Sequence, residues 1–186
     1  MISKTKTTIE AILDRALAGE DLSKAEGVIL LKQKDPEAIA AIRETADYLR
    51  KQQVGDTVTY VINRNINFTN ICEQNCGFCA FRRDEGEEGA FWLDTAQILE
   101  KATDAVQRNA TEICMQGGLN LKAKINGASL PYYLRLVETI KSKFPQLHLH
   151  AFSPQEVQFI AREDSISYET VIKALQQAGV GSMPGT

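Results

Sequence analysis

From Thr57 onward the chain alternates β-branched, apolar stretches with helix-period stretches, and no other feature limits its fold as much. The run Thr57–Phe68, TVTYVINRNINF, is rich in β-branched and aromatic residues and reads as a strand. Asp94 can cap a following helix, with Gln97 at the third position, and the helical pattern runs to about Asn109. Glu112–Met115 is a short strand that stops at Gly117-Gly118, and Pro131 starts a second helix that ends near Phe144-Pro145. Leu147–Phe152 reads as a third strand. Ser153-Pro154-Gln155-Glu156 is a capping-box start, and Ser167 opens a further helix that ends at Gly179. Val180–Met183 begins a fourth strand. Repeated strand–helix units imply an α/β fold, a parallel sheet with helices outside it. Ligand chemistry in such folds belongs at the carboxyl ends of the strands. Three features stand there: a cysteine loop after the first strand, the glycine pair after the second, and His150-Ala151-Phe152-Ser153 after the third.

Residues 1–56 read differently, as a helical segment preceding the 57–186 α/β portion. Ser23 and Glu26 form a capping box ahead of Val28, Ile29 and Leu31. Asp35-Pro36 is an N-cap followed by proline at the first helical position, with Ile39, Ile42, Ala46 and Leu49 at helical spacing. The segment suggests a structural layer without chemistry of its own. The net charge of -3 argues against a nucleic-acid partner. No apolar run is long enough to span a membrane, and the N-terminus has no apolar core of a secretory signal, so the expected compartment is the cytoplasm.

Three of the four cysteines, Cys72, Cys76 and Cys79, lie within eight residues. Neither the odd cluster nor the compartment suits a disulfide framework. A structural zinc site wants four ligands, usually in Cys-x-x-Cys pairs, and a ferredoxin supplies all four cluster cysteines. Three close thiolates suit a 4Fe–4S cluster with its fourth iron open. An open iron can chelate an amino and a carboxylate group together, and the methionine end of S-adenosylmethionine offers both. Zinc or a purely structural thiol cluster is the alternative. Phe78, just before the last cysteine, would flank the adenine or belong to the core. Gln116, Gly117 and Gly118 would let backbone approach the cofactor's methionine, or form a plain strand-to-loop turn. Cys114, within Ile113-Cys114-Met115, reads as a buried inert thiol.

Asn63-Arg64-Asn65-Ile66-Asn67-Phe68-Thr69-Asn70-Ile71-Cys72, with Cys79-Ala80-Phe81-Arg82-Arg83 after it, resembles a subgroup of radical S-adenosylmethionine enzymes. The subgroup includes FO synthase, aminofutalosine synthase, dehypoxanthine futalosine cyclase and the tyrosine lyases. Met115-Gln116-Gly117-Gly118, His150-Ala151-Phe152-Ser153-Pro154 and Ser182-Met183-Pro184-Gly185 extend the likeness over nearly the whole chain. The acidic insertion Asp84–Trp92 looks most similar to the FO synthase family that acts on tyrosine. The resemblance implies the first part of a (βα)6-type partial TIM barrel. It also implies transfer of the 4-hydroxybenzyl part of L-tyrosine to 5-amino-6-(D-ribitylamino)uracil, in deazaflavin coenzyme biosynthesis. In that family the adenosyl radical takes hydrogen from tyrosine, the bond between its α and β carbons breaks, and the hydroxybenzyl fragment adds to the pyrimidine. An external electron donor and the companion FO synthase radical enzyme are the implied protein partners. The menaquinone-pathway activities are the alternative, and an electron-transfer iron–sulfur protein is the reading from another class.

Several polar residues stay open between structural and functional roles. Asn65 and Asn67 share one face of the first strand, and His148 and His150 share one face of the third. Asn65, Asn67 and His150 are candidate substrate contacts, or polar residues satisfied within a barrel. Ser153 and Glu156 read first as cap partners and second as neighbours of the cofactor's ribose or carboxylate. Arg82 and Arg83 would meet a carboxylate, the insertion's acids or solvent. Asp84–Glu88 reads as an exposed flexible segment. Three units plus one strand cannot enclose a lumen, so the expectation is a truncated barrel, inactive alone.

Overall fold

The computed structural model describes residues 2–185, and the chain divides into two compact units, Met1–Thr59 and Tyr60–Thr186. In the first unit, helices α1 (Ile2–Leu17), α2 (Lys24–Leu31) and α3 (Pro36–Val54) follow one another. Ile9, Ile12 and Leu13, spaced for one helical face, are its buried apolar residues among those described. The expected capping box forms: Ser23 Oγ accepts from the Glu26 N–H, and the Glu26 carboxylate accepts from the Ser23 N–H. Asp35 occupies the N-cap of α3 ahead of Pro36, but its side chain makes no capping bond, so proline's fixed φ marks that start.

The second unit is a three-stranded parallel sheet in the order β1 (Asn63–Asn67), β2 (Glu112–Gln116), β3 (His148–Ala151). Helices α4 (Thr95–Gln107), α5 (Leu130–Lys141), α6 (Pro154–Asp164) and α7 (Tyr168–Ala178) complete it. Asn65, Cys114 and His150 stand side by side in the register, as do Ile66, Met115 and Ala151. That register sorts the faces. Ile66, Ile113, Met115, Leu149 and Ala151 are buried in one core with Ile98, Tyr133, Leu136, Ile140, Ile160 and Leu175 from the helices. The opposite face is polar: Asn63, Asn65 and Asn67 from β1, Glu112, Cys114 and Gln116 from β2, His148 and His150 from β3. With a period of two, a sheet apolar on one side and polar on the other meets helices on the first and a ligand or solvent on the second.

Three expectations need correction. The first strand begins at Asn63 rather than Thr57: Val58 and Tyr60 are exposed, and the β2 side offers only the Thr111 and Glu112 N–H groups, both to the Ile62 carbonyl. The fourth strand is reduced to a single parallel bridge, Ser182 to His150, and Thr186 lies outside the described residues. Cys114 is half-buried, because its place in the alternation puts it on the polar face while Ile113 and Met115 take the core. Burial still raises its thiol pKa, with Glu112 and Glu156 adding to the effect.

In the acidic insertion Asp84–Glu88 is exposed, as expected, and the segment after it is tied down as a flap. Asn70 clamps it through two bonds, its Nδ2 donating to the Gly89 carbonyl (2.9 Å) and its Oδ1 accepting from the Phe91 N–H (2.8 Å). Thr69 Oγ1 donates to the Phe91 carbonyl, the Asp84 N–H donates to Glu87, and Lys122 pairs with Glu85. Thr69 and Asn70, both buried, thus bond the flap's backbone through their side chains.

Candidate cofactor site

The ends of β1, β2 and β3 converge on one cleft of about 440 Å³, within the usual range of a small-molecule site. Cys72, Cys76 and Cys79 line it together with Phe78. Asn67, Gln116, Gly117 and Gly118 line the strand side, and Ser153 and Glu156 close it from α6. The structure therefore gathers ten of the twelve residues singled out from the sequence. Asn65 and His150 lie lower on the sheet's polar face, outside the cleft wall. Phe78 is entirely exposed, which excludes the core reading and leaves its ring free to cover a ligand.

The cysteine loop is densely bonded at its base and sparsely at its tip. The Cys72 N–H donates to the Arg83 carbonyl, the Glu73 N–H to the Leu119 carbonyl (2.9 Å), and Arg82 Nε to the Cys72 carbonyl (3.2 Å). Glu73 also pairs with Arg162 on α6. Arg82 meets Asp84 as well, and Arg83 approaches Glu87, so both arginines do find the insertion's acids. Beyond Glu73 the loop holds itself by one turn bond, from the Cys79 N–H to the Cys76 carbonyl. All four cysteines are free thiols; Cys72 is half-buried and Cys76 and Cys79 are exposed.

The donor chemistry fits an iron–sulfur cluster better than a single ion. Among the described residues no group of three or more His, Cys, Asp or Glu side chains is arranged to hold one metal ion. Iron–sulfur clusters are held by cysteine thiolates, and the three thiols of this loop line one cleft. No fourth cysteine lines the cleft.

The glycine pair has a reason the sequence did not disclose. A Cβ on Gly117 would stand 2.5 Å from the Phe68 ring, and one on Gly118 would stand 2.3 Å from the Ile71 carbonyl oxygen and 2.9 Å from Cys72 Cβ. The protein's own packing, not only a ligand's approach, fills the space of the missing side chains. Phe68 cannot yield easily: it is wholly buried and stacks edge-on to Tyr133 (5.7 Å) and Phe152 (6.1 Å). Gly118 is thereby seated against the root of the cysteine loop, with its N–H on the Thr69 carbonyl (2.8 Å).

Glu156 joins the two candidate roles given to it. Its Oε2 accepts from the Ser153 N–H (2.7 Å) and Oγ (3.0 Å), completing the cap of α6. Its Oε1 accepts from the Gly117 N–H (3.1 Å), tying that cap to the glycine turn. The side chain is 1% exposed. Burial lifts its pKa to about 7, against the opposing pull of the bonds from Ser153 and Gly117. Just before it, Phe152 sits at φ 62, a left-handed conformation that costs a non-glycine residue on the order of 1 kcal/mol. A bond from its N–H to the Met115 carbonyl (2.9 Å) and its aromatic neighbours hold it there and aim the Ser153 turn. Beneath the turn, the buried Tyr133 hydroxyl has no hydrogen-bond partner among the described residues, and burial raises its pKa strongly. Nothing in the sequence marks Phe152 or Tyr133 as more than core residues.

Residues 66–183 match the model of the radical SAM superfamily. The 5-amino-6-(D-ribitylamino)uracil–L-tyrosine 4-hydroxyphenyl transferase of Nostoc punctiforme is 73% identical over 182 residues, which are 98% of this chain and 48% of that protein. The protein of the same name from Nostoc sp. is 70% identical over 96% of this chain and 46% of its own length. The chain thus spans about half the length of these curated relatives. Among solved structures, the FeFe-hydrogenase maturase HydG from Carboxydothermus hydrogenoformans shares the fold, with a TM-score of 0.66 at 17% identity over 98% of this chain and 48% of that one. With the cysteine loop, the glycine turn and strands β2 and β3 all inside the matched residues, this chain belongs to the radical SAM superfamily.

Proposed function

We propose that this chain supplies the cofactor-binding part of a transferase that joins the 4-hydroxybenzyl portion of L-tyrosine to 5-amino-6-(D-ribitylamino)uracil. The observation that carries the reading is the 73% identity to a protein of that name across a cleft with all three cysteines in it. Cys72, Cys76 and Cys79 are the proposed ligands of a 4Fe–4S cluster. Gln116, Gly117 and Gly118 are the proposed seat of the methionine part of S-adenosylmethionine, and Phe78 covers its adenine. Bound together and given an electron by an external donor, these cofactors supply a 5′-deoxyadenosyl radical that takes hydrogen from the substrate.

The chain's own residues orient and shield. Glu156 locks the glycine turn to α6, Asn70 and Arg82 brace the cysteine loop against the flap, and the aromatic group under Gly117 keeps water from the turn. Shielding matters because radicals attack exposed groups unselectively. No helix among the described residues is long and apolar enough to cross a membrane, and we place the reaction in the cytoplasm beside the companion FO synthase enzyme.

The test uses the intact polypeptide that carries these residues, reconstituted anaerobically with iron and sulfide. With S-adenosylmethionine, a reductant, tyrosine and the diaminopyrimidine, the expected product is the hydroxybenzyl adduct by mass spectrometry. Turnover of a futalosine-type substrate alone would overturn the reading in favour of menaquinone chemistry. A cluster that transfers electrons without forming 5′-deoxyadenosine would place the protein in another class.

A further inference from the structure

Below the cleft, the polar face of the sheet carries a second group of residues that the cofactor site does not use. Ser182 Oγ lies 2.7 Å from His148 Nε2 and 2.7 Å from His150 Nδ1. A hydroxyl has one hydrogen to give. It can therefore donate to at most one of the two ring nitrogens, so at least one of them donates to Ser182, and the shared hydroxyl links the tautomers of the two histidines. Glu112 reaches the pair from β2, its Oε2 3.9 Å from His148 Nε2, and is itself steadied by Asn63.

The serine is held in place by backbone. The Gly181 and Ser182 N–H groups donate to the Leu149 carbonyl (2.9 and 3.2 Å), and the Ser182 carbonyl accepts from the Ala151 N–H (2.9 Å). A Cβ on Gly181 would stand 2.5 Å from His148 Cε1, so a side chain there would have to push the His148 ring out of its place against Ser182. With Nδ1 of His150 engaged by Ser182, its Nε2 has no hydrogen-bond partner among the described residues, and the ring is half-buried. Asn65 and Cys114 are its neighbours in the register. His150 sits one pleat repeat below the level of Asn67 and Gln116 in the cleft, a drop of roughly 7 Å along the strands. One aromatic ring spans a comparable length.

Resting on the function proposed above, we infer that His150 Nε2 anchors a substrate hydroxyl, with Ser182, His148 and Glu112 as the positioning residues that fix its tautomer. Two groups offer that chemistry: the phenol of the aromatic amino acid and the ribityl hydroxyls of the pyrimidine. His150→Phe and Ser182→Ala in the intact polypeptide separate them. Loss of one hydrogen bond should raise the KM of a single substrate by roughly tenfold. Ser182→Ala, which leaves the imidazole in place, should raise the same KM by a smaller factor. A shift confined to tyrosine assigns the phenol, and a shift confined to the pyrimidine assigns the ribityl chain. Equilibrium dialysis of each substrate reads the same shift as a Kd without turnover, and it decides the matter through Ser182→Ala if His150→Phe fails to fold. Unchanged values, or equal losses for both substrates, overturn the inference. Wild-type protein that couples nothing counts against the proposed function instead.

Discussion

Replacing Glu156 by Gln gives a pH signature that follows from the geometry. The carboxyl is 1% exposed, and its pKa rises from 4.5 to about 7 on folding. An acid with a raised folded pKa is protonated in the native state while the unfolded chain has already lost its proton. Between pH 4.5 and 7 the native state binds more protons, so stability falls as pH rises. At 1.36 kcal/mol per pH unit, this one group removes about 3 kcal/mol across that window. The contribution is fully present below the unfolded value and gone above the folded one. Glu156→Gln cannot titrate, so its stability lacks that slope. The amide also sets an N–H group against a backbone donor at Gly117 or Ser153, a cost of about 1–3 kcal/mol that does not vary with pH. The absolute offset between the two proteins therefore matters less than its trend. Denaturant unfolding at several pH values from 5 to 8 should show the stability of wild type relative to Glu156→Gln declining by about one proton's worth per unit up to about pH 7 and levelling off above it. A difference that stays flat across the range would refute the buried, titrating carboxylate.

Two further outcomes follow from packing. Gly118→Ala must displace the Ile71–Cys72 backbone, which has no flexible side chain to yield, so it should cost about 1–3 kcal/mol in denaturant unfolding and lower the iron bound on reconstitution. Phe78→Ala removes a ring that touches no core, so it should leave unfolding unchanged within about 0.5 kcal/mol while weakening S-adenosylmethionine binding in a direct titration.

Local rules made much of this legible. The capping boxes at Ser23, Asp94 and Ser153 and the period-two pattern of Asn63–Asn67 act over a few residues, and the structure keeps them. The cysteine spacing and the glycine pair stood out for the same reason. What escaped depended on contacts distant in sequence. Gly117 answers to Phe68 and Gly118 to Ile71, nearly fifty residues earlier. Glu156 reaches back to Gly117 across 39 positions, beyond any cap motif. Ser182 joins His148 and His150 only because its backbone pairs beside β3. Thr57–Ile62 has strand composition but no neighbour to complete a ladder, and composition cannot report a missing neighbour. The anchoring of the flap at Gly89 and Phe91 escaped because its clamp, Asn70, lies far outside the insertion.

Anaerobic reconstitution of the intact polypeptide, followed by assay of 5′-deoxyadenosine under reducing conditions, bears most directly on the central claim. Wild type should bind iron and sulfide in equal amounts, turn brown and release 5′-deoxyadenosine from S-adenosylmethionine. Changing Cys72, Cys76 or Cys79 to Ala should abolish that release, while Cys114→Ala should retain it. A colourless wild type that binds stoichiometric zinc and forms no 5′-deoxyadenosine would contradict the account.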